Sequence, residues 1–419
     1  MRLESCFGIA IASALLAVSF HSSSADSAKE SLGIDTNAFF KRLNEKKTSL
    51  AKYVYLTSSE VQLNPQLREV SAQMLSTLLS LLGRPADARD IFPSRKPAPD
   101  EMSSPPEQFA VIPADIWITE QAKTQRVVMI NEAHHKAETR VLTLQLLPRL
   151  RALGYTHFAV ETLNVDDPEL QRRGYPIAGT GFYTAEPVFG EIIREAIKLG
   201  YVLVAYESTT VTKDTQQQRE DGQAHNLFKR TIGDNPDAKV LVHAGYSHIS
   251  KAEIPEFAKP MAMQFMALSK LPVLSIDQTQ VVTATRSAQE ISVPSVAIDK
   301  SGRAWSGKPE QHDATVLLPT FSAEKSPHPQ WLSLYGRRQA VAIDFSSCGM
   351  HLPCLAEARH TSESDEAIPA DQFLMLNDNE TRTPLYLAPG KYRLRLLGRE
   401  GTTLIARELV VSPQVEAAR

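Results

Sequence analysis

The central part of this 419-residue chain alternates short apolar runs with longer amphipathic stretches, and this alternation limits the folds open to it. The apolar runs are residues 127–130, 158–160, 201–205, 240–242 and 273–276. Helix-like stretches lie around residues 138–153, 188–199, 216–232 and 252–268. Buried strands joined by crossover helices are typical of a parallel sheet covered on both faces. The sequence therefore predicts an α/β fold over residues 120–292, with Pro148 kinking or restarting the first helix.

The segments on either side of this region have different compositions. Residues 26–91 contain a helical pattern between Pro65 and Gly83, with proline near its start and glycine just past its end. Residues 92–119 are predicted to be a proline-rich surface linker. Residues 293–419 place β-branched and aromatic residues between turn signals, which predicts a β-rich module. A chain of this length is expected to form two or three compact units.

The first 25 residues have the features of a secretory signal peptide. A basic start is followed by an apolar run over residues 7–20 and by small polar residues before Asp26. This run is shorter than a bilayer-spanning helix requires, so a short membrane anchor is the weaker alternative. We expect a mature chain that begins near Asp26, is periplasmic or secreted, and contains no membrane span.

The three cysteines fit an exported protein. Cys6 leaves with the signal peptide, whereas Cys348 and Cys354 remain close together in the chain. In an oxidising compartment, a local disulfide between these two is the simplest expectation. Two cysteines alone lack the ligands of a zinc site.

The charge balance argues against nucleic acid as the main partner. The chain has 45 Lys and Arg residues against 48 Asp and Glu residues, with no long run of one sign. A nucleic-acid-binding protein concentrates basic residues on one face. We therefore expect a small-molecule or peptide substrate, while the oligomeric state stays open.

Every predicted strand of the central region is followed by ionisable residues. The carboxyl ends of parallel strands share one edge of a sheet, and ligands bind there. In chain order these segments contain Glu132, His134 and His135, then Glu161, then Glu207, then residues 243–248 with Tyr246 and His248, and then Asp277. Solvated loops are commonly polar, which explains any one of these residues taken singly. Together they suit hydrolysis, because an imidazole can take a proton from water while a carboxylate orients it or binds a metal.

Two further spacings bring polar residues onto one helix face. His135 and Glu138 lie three residues apart at a predicted helix start, as paired ligands or as a base with its orienting acid. Arg219 and Asn226 lie two helical turns apart. The Arg219 guanidinium could fix the carboxylates at the sheet edge or bind an anionic substrate group, and a surface salt bridge is the alternative.

Four of these motifs, in this order, resemble the superfamily that contains erythromycin esterases, Tiki-type proteases and haem-uptake lipoproteins. Residues 131–135 resemble its Gly-Glu-x-(x)-His motif, residues 158–161 its second strand with a glutamate, residues 219–226 the esterase pattern Arg-Asp-x-x-Met-Ala-x-Asn, and Gly245 with His248 the Gly-x-x-His of the Tiki branch. The resemblance covers roughly residues 120–280. Asn131 stands where the family has glycine, and Gly245 stands where the esterases have histidine.

The resemblance implies an exported hydrolase that cleaves an ester, lactone or peptide bond. It implies His134 or His135 as the general base, Glu132 and Glu161 as orienting acids or metal ligands, His248 as a further site residue, and Arg219 and Asn226 as residues that position the acids and the substrate. From their places in the chain, we expect Glu138, Glu207 and Tyr246 to be substrate-binding or orienting residues as well. The spacing of the Tiki and haem-uptake branches selects His134, and that of the esterases selects His135. A divalent metal on His134, Glu161 and His248 stays open, since the esterase branch is taken to work without one.

Three other interpretations remain. Residues 245–249 are one glycine short of a nucleophile elbow, in which Ser247 would attack with Asp277 and His312 behind it. A haem- or metal-binding uptake protein would use Tyr246 and the histidines as ligands without turnover. A degenerate scaffold would use the same edge of the sheet to bind a partner.

Overall fold

The computed structural model of the chain describes residues 35–92, 104–165, 167–208, 216–254, 258–280, 291–319 and 329–413. The predicted signal peptide lies outside these ranges. Within them, no helix is both long enough and apolar enough to cross a membrane.

The described elements alternate between helix and strand in the central region and are mostly strands after it. The helices are α1 (Thr36–Glu45), α2 (Ser49–Leu56), α3 (Ser59–Gln62), α4 (Arg68–Leu81), α5 (Pro85–Ile91), α6 (Ala114–Ala122), α7 (Val141–Ala152), α8 (Leu170–Arg173), α9 (Pro187–Lys198), α10 (Gln216–Phe228) and α11 (Met261–Ser269). The strands are β1 (Ala110–Pro113), β2 (Val127–Glu132), β3 (His157–Val160), β4 (Val202–Ala205), β5 (Val240–Gly245), β6 (Leu274–Asp277), β7 (Ser295–Ile298), β8 (Ala314–Thr315), β9 (Gln339–Val341), β10 (Cys354–His360), β11 (Asp371–Met375), β12 (Leu385–Leu387), β13 (Gly390–Leu397) and β14 (Thr403–Val411).

The predicted α/β fold is confirmed by a six-stranded parallel sheet in the order β4-β3-β5-β2-β6-β8. Alternate residues of β2 face two separate cores. Val128 and Ile130 pack with residues of α7 and α9, whereas Val127 and Met129 pack with residues of α10 and α11. Burial on both faces is the reason that these strands appear in the sequence as continuous apolar runs.

Two local expectations for the helices differ from the structure. The helix predicted over 138–153 is a short 3-10 turn followed by α7, and α7 continues through Pro148 instead of restarting there. Leu144, Leu147 and Leu150 bury one side of α7 in the core, and this packing outweighs the lost backbone hydrogen bond. The helix predicted over 252–268 begins only at Met261, directly after a proline.

Pairing between distant segments crosses the predicted borders of the units. Residues 92–119, predicted as a linker, contain β1 and the first part of α6, and β1 pairs antiparallel with β7. Strand β8 also lies beyond residue 293, yet it extends the central parallel sheet beside β6. Both pairings join stretches far apart in sequence, so local patterns do not reveal them.

The carboxyl-terminal part is rich in antiparallel strands, as predicted. Strands β11-β10-β13-β14 form one sheet, and β9 pairs with β12. Cys348 and Cys354 form the expected disulfide, with their Cα atoms 5.8 Å apart.

The amino-terminal helices dock against this antiparallel sheet. The backbone N–H of Leu374 donates to Leu82 O at 3.0 Å, and Gln372 Nε2 donates to Leu81 O at 2.7 Å. Gly83 has a φ of +77° at this contact, and a Cβ there would lie 2.1 Å from the carbonyl oxygen of Gln372. Only glycine suits both requirements. Leu355 and Leu374 of the sheet complete the core of the amino-terminal helices.

Candidate active site

The predicted site residues gather at the carboxyl edge of the central sheet. Glu132 ends β2, Glu161 follows β3 and Gly245 ends β5. Together with His134, these three line a narrow cleft that in this structure is too tight to admit a water molecule. The parallel order of the strands brings these distant segments to one place.

Glu132 and His134 form a hydrogen-bonded pair at this cleft. The Oε1 atom of Glu132 lies 2.7 Å from Nδ1 of His134. Arg140 approaches the same carboxylate with two nitrogens, Nε at 2.6 Å from Oε2 and Nη2 at 3.1 Å from Oε1. His243 Nε2 is 3.0 Å from Oε2. Glu132 is therefore a buried carboxylate, and each of its two oxygens has two hydrogen-bond partners.

The surroundings of Glu132 keep it ionised. Burial would raise the pKa of this carboxyl, but the charge of Arg140 and the hydrogen bonds from His134 and His243 hold the pKa well below its usual value. An ionised Glu132 only accepts hydrogen bonds, so the nearby His134 Nδ1 carries a proton. With that proton on Nδ1, the other ring nitrogen, Nε2, is the one that can accept a proton.

The side chain of His134 is held over the backbone of Gly245. Its ring stacks on Tyr183 with centroids 3.8 Å apart and meets the ring of Tyr246 edge-on at 5.1 Å. A Cβ at residue 245 would lie 2.5 Å from His134 Nε2 and 3.1 Å from Glu161 Oε2. Both side chains are therefore packed against Gly245, which leaves no room there for a side chain.

Glu161 is the second buried carboxylate of the cleft. Its Oε2 accepts the backbone N–H of Gly245 at 2.5 Å, and its Oε1 accepts from Arg219 Nη2 at 2.8 Å. Oε1 also lies 3.3 Å from His248 Nε2. Burial would raise the pKa of Glu161, but His248 and Arg219 hold it well below its usual value.

His248 is held between two carboxylates, and this favours its cationic form. Its Nδ1 lies 2.9 Å from Glu220, whose side chain is fully buried, and its Nε2 faces Glu161. Burial would lower the pKa of His248, but Glu220 and Glu161 raise it to about 10. Arg219 Nη1 approaches Nε2 at 3.1 Å, and the carboxylates around the two cations offset their repulsion.

Arg219, Glu207 and Asn226 support the cleft from behind. Glu207 accepts from Arg219 Nη2 at 2.6 Å and Nε at 3.2 Å, and from Gln223 Nε2 at 3.0 Å. Asn226 donates to the backbone oxygens of Tyr206 and Glu207 at 3.3 and 3.2 Å, which fixes the chain as it leaves β4. These contacts place Arg219 against Glu161, whereas Asn226 holds the backbone that follows β4.

His135 and Glu138, which the sequence suggested as a pair, have separate partners. The ring of His135 stacks on Phe92 with centroids 3.7 Å apart, and its Nδ1 lies 3.1 Å from the Tyr246 hydroxyl. Burial and then the charge of Lys136 lower its pKa to about 3. Glu138 pairs with Arg89 at 3.2 Å. Of the two histidines, His134 is the one that contacts Glu132.

Three buried residues that hold Glu132 or His248, and Tyr183 in the lining of the cleft, were not singled out from the sequence. Arg140 and His243 bind Glu132, and Glu220 binds His248. Glu220 lies next to Arg219 in the motif of α10, and His243 is one of the polar residues at the end of β5. Both therefore belong to segments that the sequence predicted to form the site. Arg140 lies in a turn before α7 with no pattern to mark it.

The residues of the cleft do not fit a divalent metal. Among the described residues, no group of three or more His, Cys, Asp or Glu side chains is arranged to hold one. In the suggested set of His134, Glu161 and His248, both nitrogens of His248 face other side chains and Arg219 already binds Glu161. A second cation would have to displace that guanidinium. The hydroxyl of Tyr246, which the haem interpretation uses as a ligand, lies 3.1 Å from His135 Nδ1.

The residues expected to assist Ser247 as a nucleophile have other partners. Asp277 Oδ1 accepts from Asn131 at 2.7 Å, and His312 Nδ1 lies 2.9 Å from the Ser275 hydroxyl. Neither contact leads to Ser247, so the described residues contain no relay behind that hydroxyl.

No family model matches the chain, and no curated protein is similar to it at a significant level. Among solved structures, the chain is similar to the type III effector HopBA1, with 13% identity over 53% of this chain and 98% of that chain and a TM-score of 0.32. It is also similar to a structure of bacterial protein toxins, with 16% identity over 58% of this chain and 47% of that chain and a TM-score of 0.29. A third is RRSP, a MARTX toxin effector domain from Vibrio vulnificus CMCP6, with 13% identity over 70% of this chain, 51% of that chain and a TM-score of 0.27. These neighbours are bacterial effector and toxin domains, and none assigns the chain to the superfamily that its motifs resemble.

Proposed function

We propose that the chain is a hydrolase in which His134 deprotonates water for attack on an ester, lactone or peptide bond. The observation that carries this proposal is the geometry of one imidazole. Nδ1 of His134 is bound to the ionised Glu132 at 2.7 Å, while Nε2 borders the cleft above Gly245. An imidazole oriented by a buried carboxylate, with its other nitrogen facing a cleft, is suited to general-base catalysis.

Glu161 would orient the attacking water. Its Oε2 and the Nε2 of His134 are two acceptors that both lie against Gly245. The cleft in this structure has no room for a water molecule, so the two side chains would have to separate before a water could bind between them, donate one hydrogen to each and point a lone pair toward a carbonyl carbon. Transfer of the water proton that faces His134 to its Nε2 would generate a hydroxide nucleophile. The protonated imidazole would then give that proton to the leaving group.

Two cations and a tyrosine hydroxyl lie close to the reacting pair. Arg219 and cationic His248 stand behind Glu161 and offset its charge. Tyr183 lines the cleft, and burial with the charge of Glu161 raises its pKa well above the usual value. Its hydroxyl therefore keeps its proton at neutral pH and is the donor we assign to the developing oxyanion.

We place this activity outside the cytosol. The Cys348–Cys354 disulfide supports an oxidising compartment, in agreement with the signal-peptide pattern of residues 1–25. Substrates would then be small molecules or peptides of the periplasm or the surroundings.

The test is hydrolysis by the mature protein, residues 26–419, on panels of esters, lactones and peptides. H134A and E132Q should lower kcat on any cleaved substrate by about 100-fold or more, the usual size of a general-base contribution. H225A is the matched control, because His225 lies on the exposed side of α10. Wild-type kcat in H134A would show that this imidazole is not the base.

A further inference from the structure

Arg140 is a fully buried charge at the cleft, and it contacts both Glu132 and His134. The side chain has 0% exposure. Two of its nitrogens hold the two oxygens of Glu132, and its Nη2 also donates to the backbone oxygen of His134 at 3.0 Å. One rigid guanidinium thus sets the position of Glu132 relative to the chain that carries His134.

Arg140 is itself fixed by the start of α9. Its Nη1 lies 3.1 Å from Glu186 Oε2. Glu186 is the N-cap of α9 and accepts the backbone N–H groups of Val188 and Phe189, each at 2.9 Å. The ring of Phe189 lies under the guanidinium, 5.3 Å from its central carbon. The position of Arg140 therefore depends on the helix terminus, which packs rigidly in the core.

We propose that Arg140 and Glu186 are positioning residues of the candidate active site, which lock Glu132 in place and thereby fix the tautomer and the orientation of His134. Neither residue belongs to the motifs that predicted the site. The effect on catalysis rests on the proposed hydrolase function, whereas the effect on the His134 tautomer does not.

Both the charge and the planar shape of Arg140 matter in this arrangement. A lysine would supply the charge but not the two-nitrogen fork, so Glu132 could rotate and release Nδ1 of His134. E186Q would keep one cap acceptor and weaken the hold on Arg140 while leaving the Arg140–Glu132 pair in place. We therefore expect R140K to disturb the tautomer of His134 more than E186Q does.

The experiment is nitrogen-15 NMR of the histidine rings in the mature protein, with the His134 signals assigned by comparison with H134A. Wild type should show His134 protonated at Nδ1 with Nε2 bare. R140K should show a mixture of the two neutral tautomers, and E186Q a smaller shift toward one. R149K is the matched control, because Arg149 lies on α7 with 45% of its side chain exposed.

Kinetics on any cleaved substrate give the second readout. R140K should lower kcat by about 10- to 100-fold with KM within about twofold, as expected for a misplaced catalytic group. A wild-type tautomer and kcat in folded R140K and E186Q would overturn the inference. If R140K does not fold, the ring signals of E186Q decide the question, since that variant retains the buried ion pair.

The two proposals fail separately. A tautomer shift in the variants of a protein that cleaves nothing would leave the positioning role standing and remove the hydrolase. Hydrolysis by wild type with unchanged kcat and tautomer in the variants would keep the hydrolase and remove the positioning role.

Discussion

The glycine at position 245 is required by its neighbour rather than by its own backbone. Its φ of −80° and ψ of 143° suit any residue. A Cβ there would lie 2.4 Å from Cε1 of His134, whose ring is fixed by Tyr183 and Glu132. The close approach of an imidazole therefore explains why this position carries no side chain.

This contact predicts the effect of G245A on activity. The added methyl group should push His134 away from the cleft and lower kcat by about 100-fold. The free energy of unfolding should fall by only about 1–3 kcal/mol, the usual cost of overpacking. Steady-state kinetics and urea unfolding measure the two effects. S247A, two residues away, is the control and should keep wild-type activity, whereas its inactivity would revive the nucleophile interpretation of Ser247.

The buried His248 predicts a pH dependence of stability. Its folded pKa of about 10 lies above the unfolded value near 6.5, because Glu220 and Glu161 favour the cation more than burial disfavours it. The stabilisation is fully present below pH 6.5 and is lost as the pH rises toward 10. Urea unfolding of wild type from pH 6 to pH 10 should show this loss, and H248Q should show a flatter profile. Exposed His225 gives the control H225Q, and equal slopes in all three proteins would contradict the prediction.

At the scale of elements, Asn131 joins the ends of three neighbouring strands. Its Nδ2 donates to Tyr246 O after β5 at 2.9 Å and to Asp277 Oδ1 of β6 at 2.7 Å. Its Oδ1 accepts the N–H of Gln278 at 2.6 Å. Asn131, which stands where the superfamily that the motifs resemble has glycine, thus links three strands at the edge of the sheet where the candidate site lies.

N131A should therefore be strongly destabilising. It would leave several buried polar groups without partners, at a cost of about 2–4 kcal/mol in the free energy of unfolding. N379A, at an exposed asparagine, should change the stability by less than about 0.5 kcal/mol. Chemical denaturation measures the free energy of unfolding of both variants. A loss of less than about 0.5 kcal/mol in N131A would mean that water replaces these hydrogen bonds.

At the scale of the whole molecule, the parts of the chain are interleaved. Strands β7 and β8 lie in the β-rich part of the sequence but pair with β1 and β6. Arg84 also pairs with Glu380 through two nitrogens at 2.9 Å, which ties the amino-terminal helices to the carboxyl-terminal part. Folding of the central sheet and of the first helices is thus expected to need residues beyond 292.

A chain of residues 26–292 should accordingly fail to fold cooperatively. It would lose two strand pairings and expose the helix surface that packs on Leu355 and Leu374. Thermal unfolding followed by circular dichroism, with residues 26–419 as the control, measures this. A sharp two-state transition in the shorter chain would mean that the predicted border near 292 separates autonomous domains.

How far the sequence predicts this protein can be judged from particular residues. The runs that became β2 and β5 were recognisable because burial on both faces leaves a continuous apolar pattern. Strand β1 was not, since a four-residue edge strand beside prolines has no such pattern. Glu132, Glu161 and His248 were recognisable as polar residues at or after strand ends; Glu132 and Glu161 line one cleft, and His248 contacts Glu161. Arg140 was not, because its partners Glu132 and Glu186 are brought to it only by folding.

The sequence alone determined the α/β class, the alternation of strands and helices in the central region, the local disulfide and the edge at which polar residues gather. These properties depend on the periodicity of buried residues and on the spacing of polar and cysteine residues, and both can be read from short stretches of the chain. Only the tertiary structure decided that His134 rather than His135 contacts Glu132, that His248 lies between Glu220 and Glu161, and that β8 joins the central sheet. Those outcomes depend on distances between segments far apart in the chain, because ion pairs and strand pairing act in space rather than along the sequence.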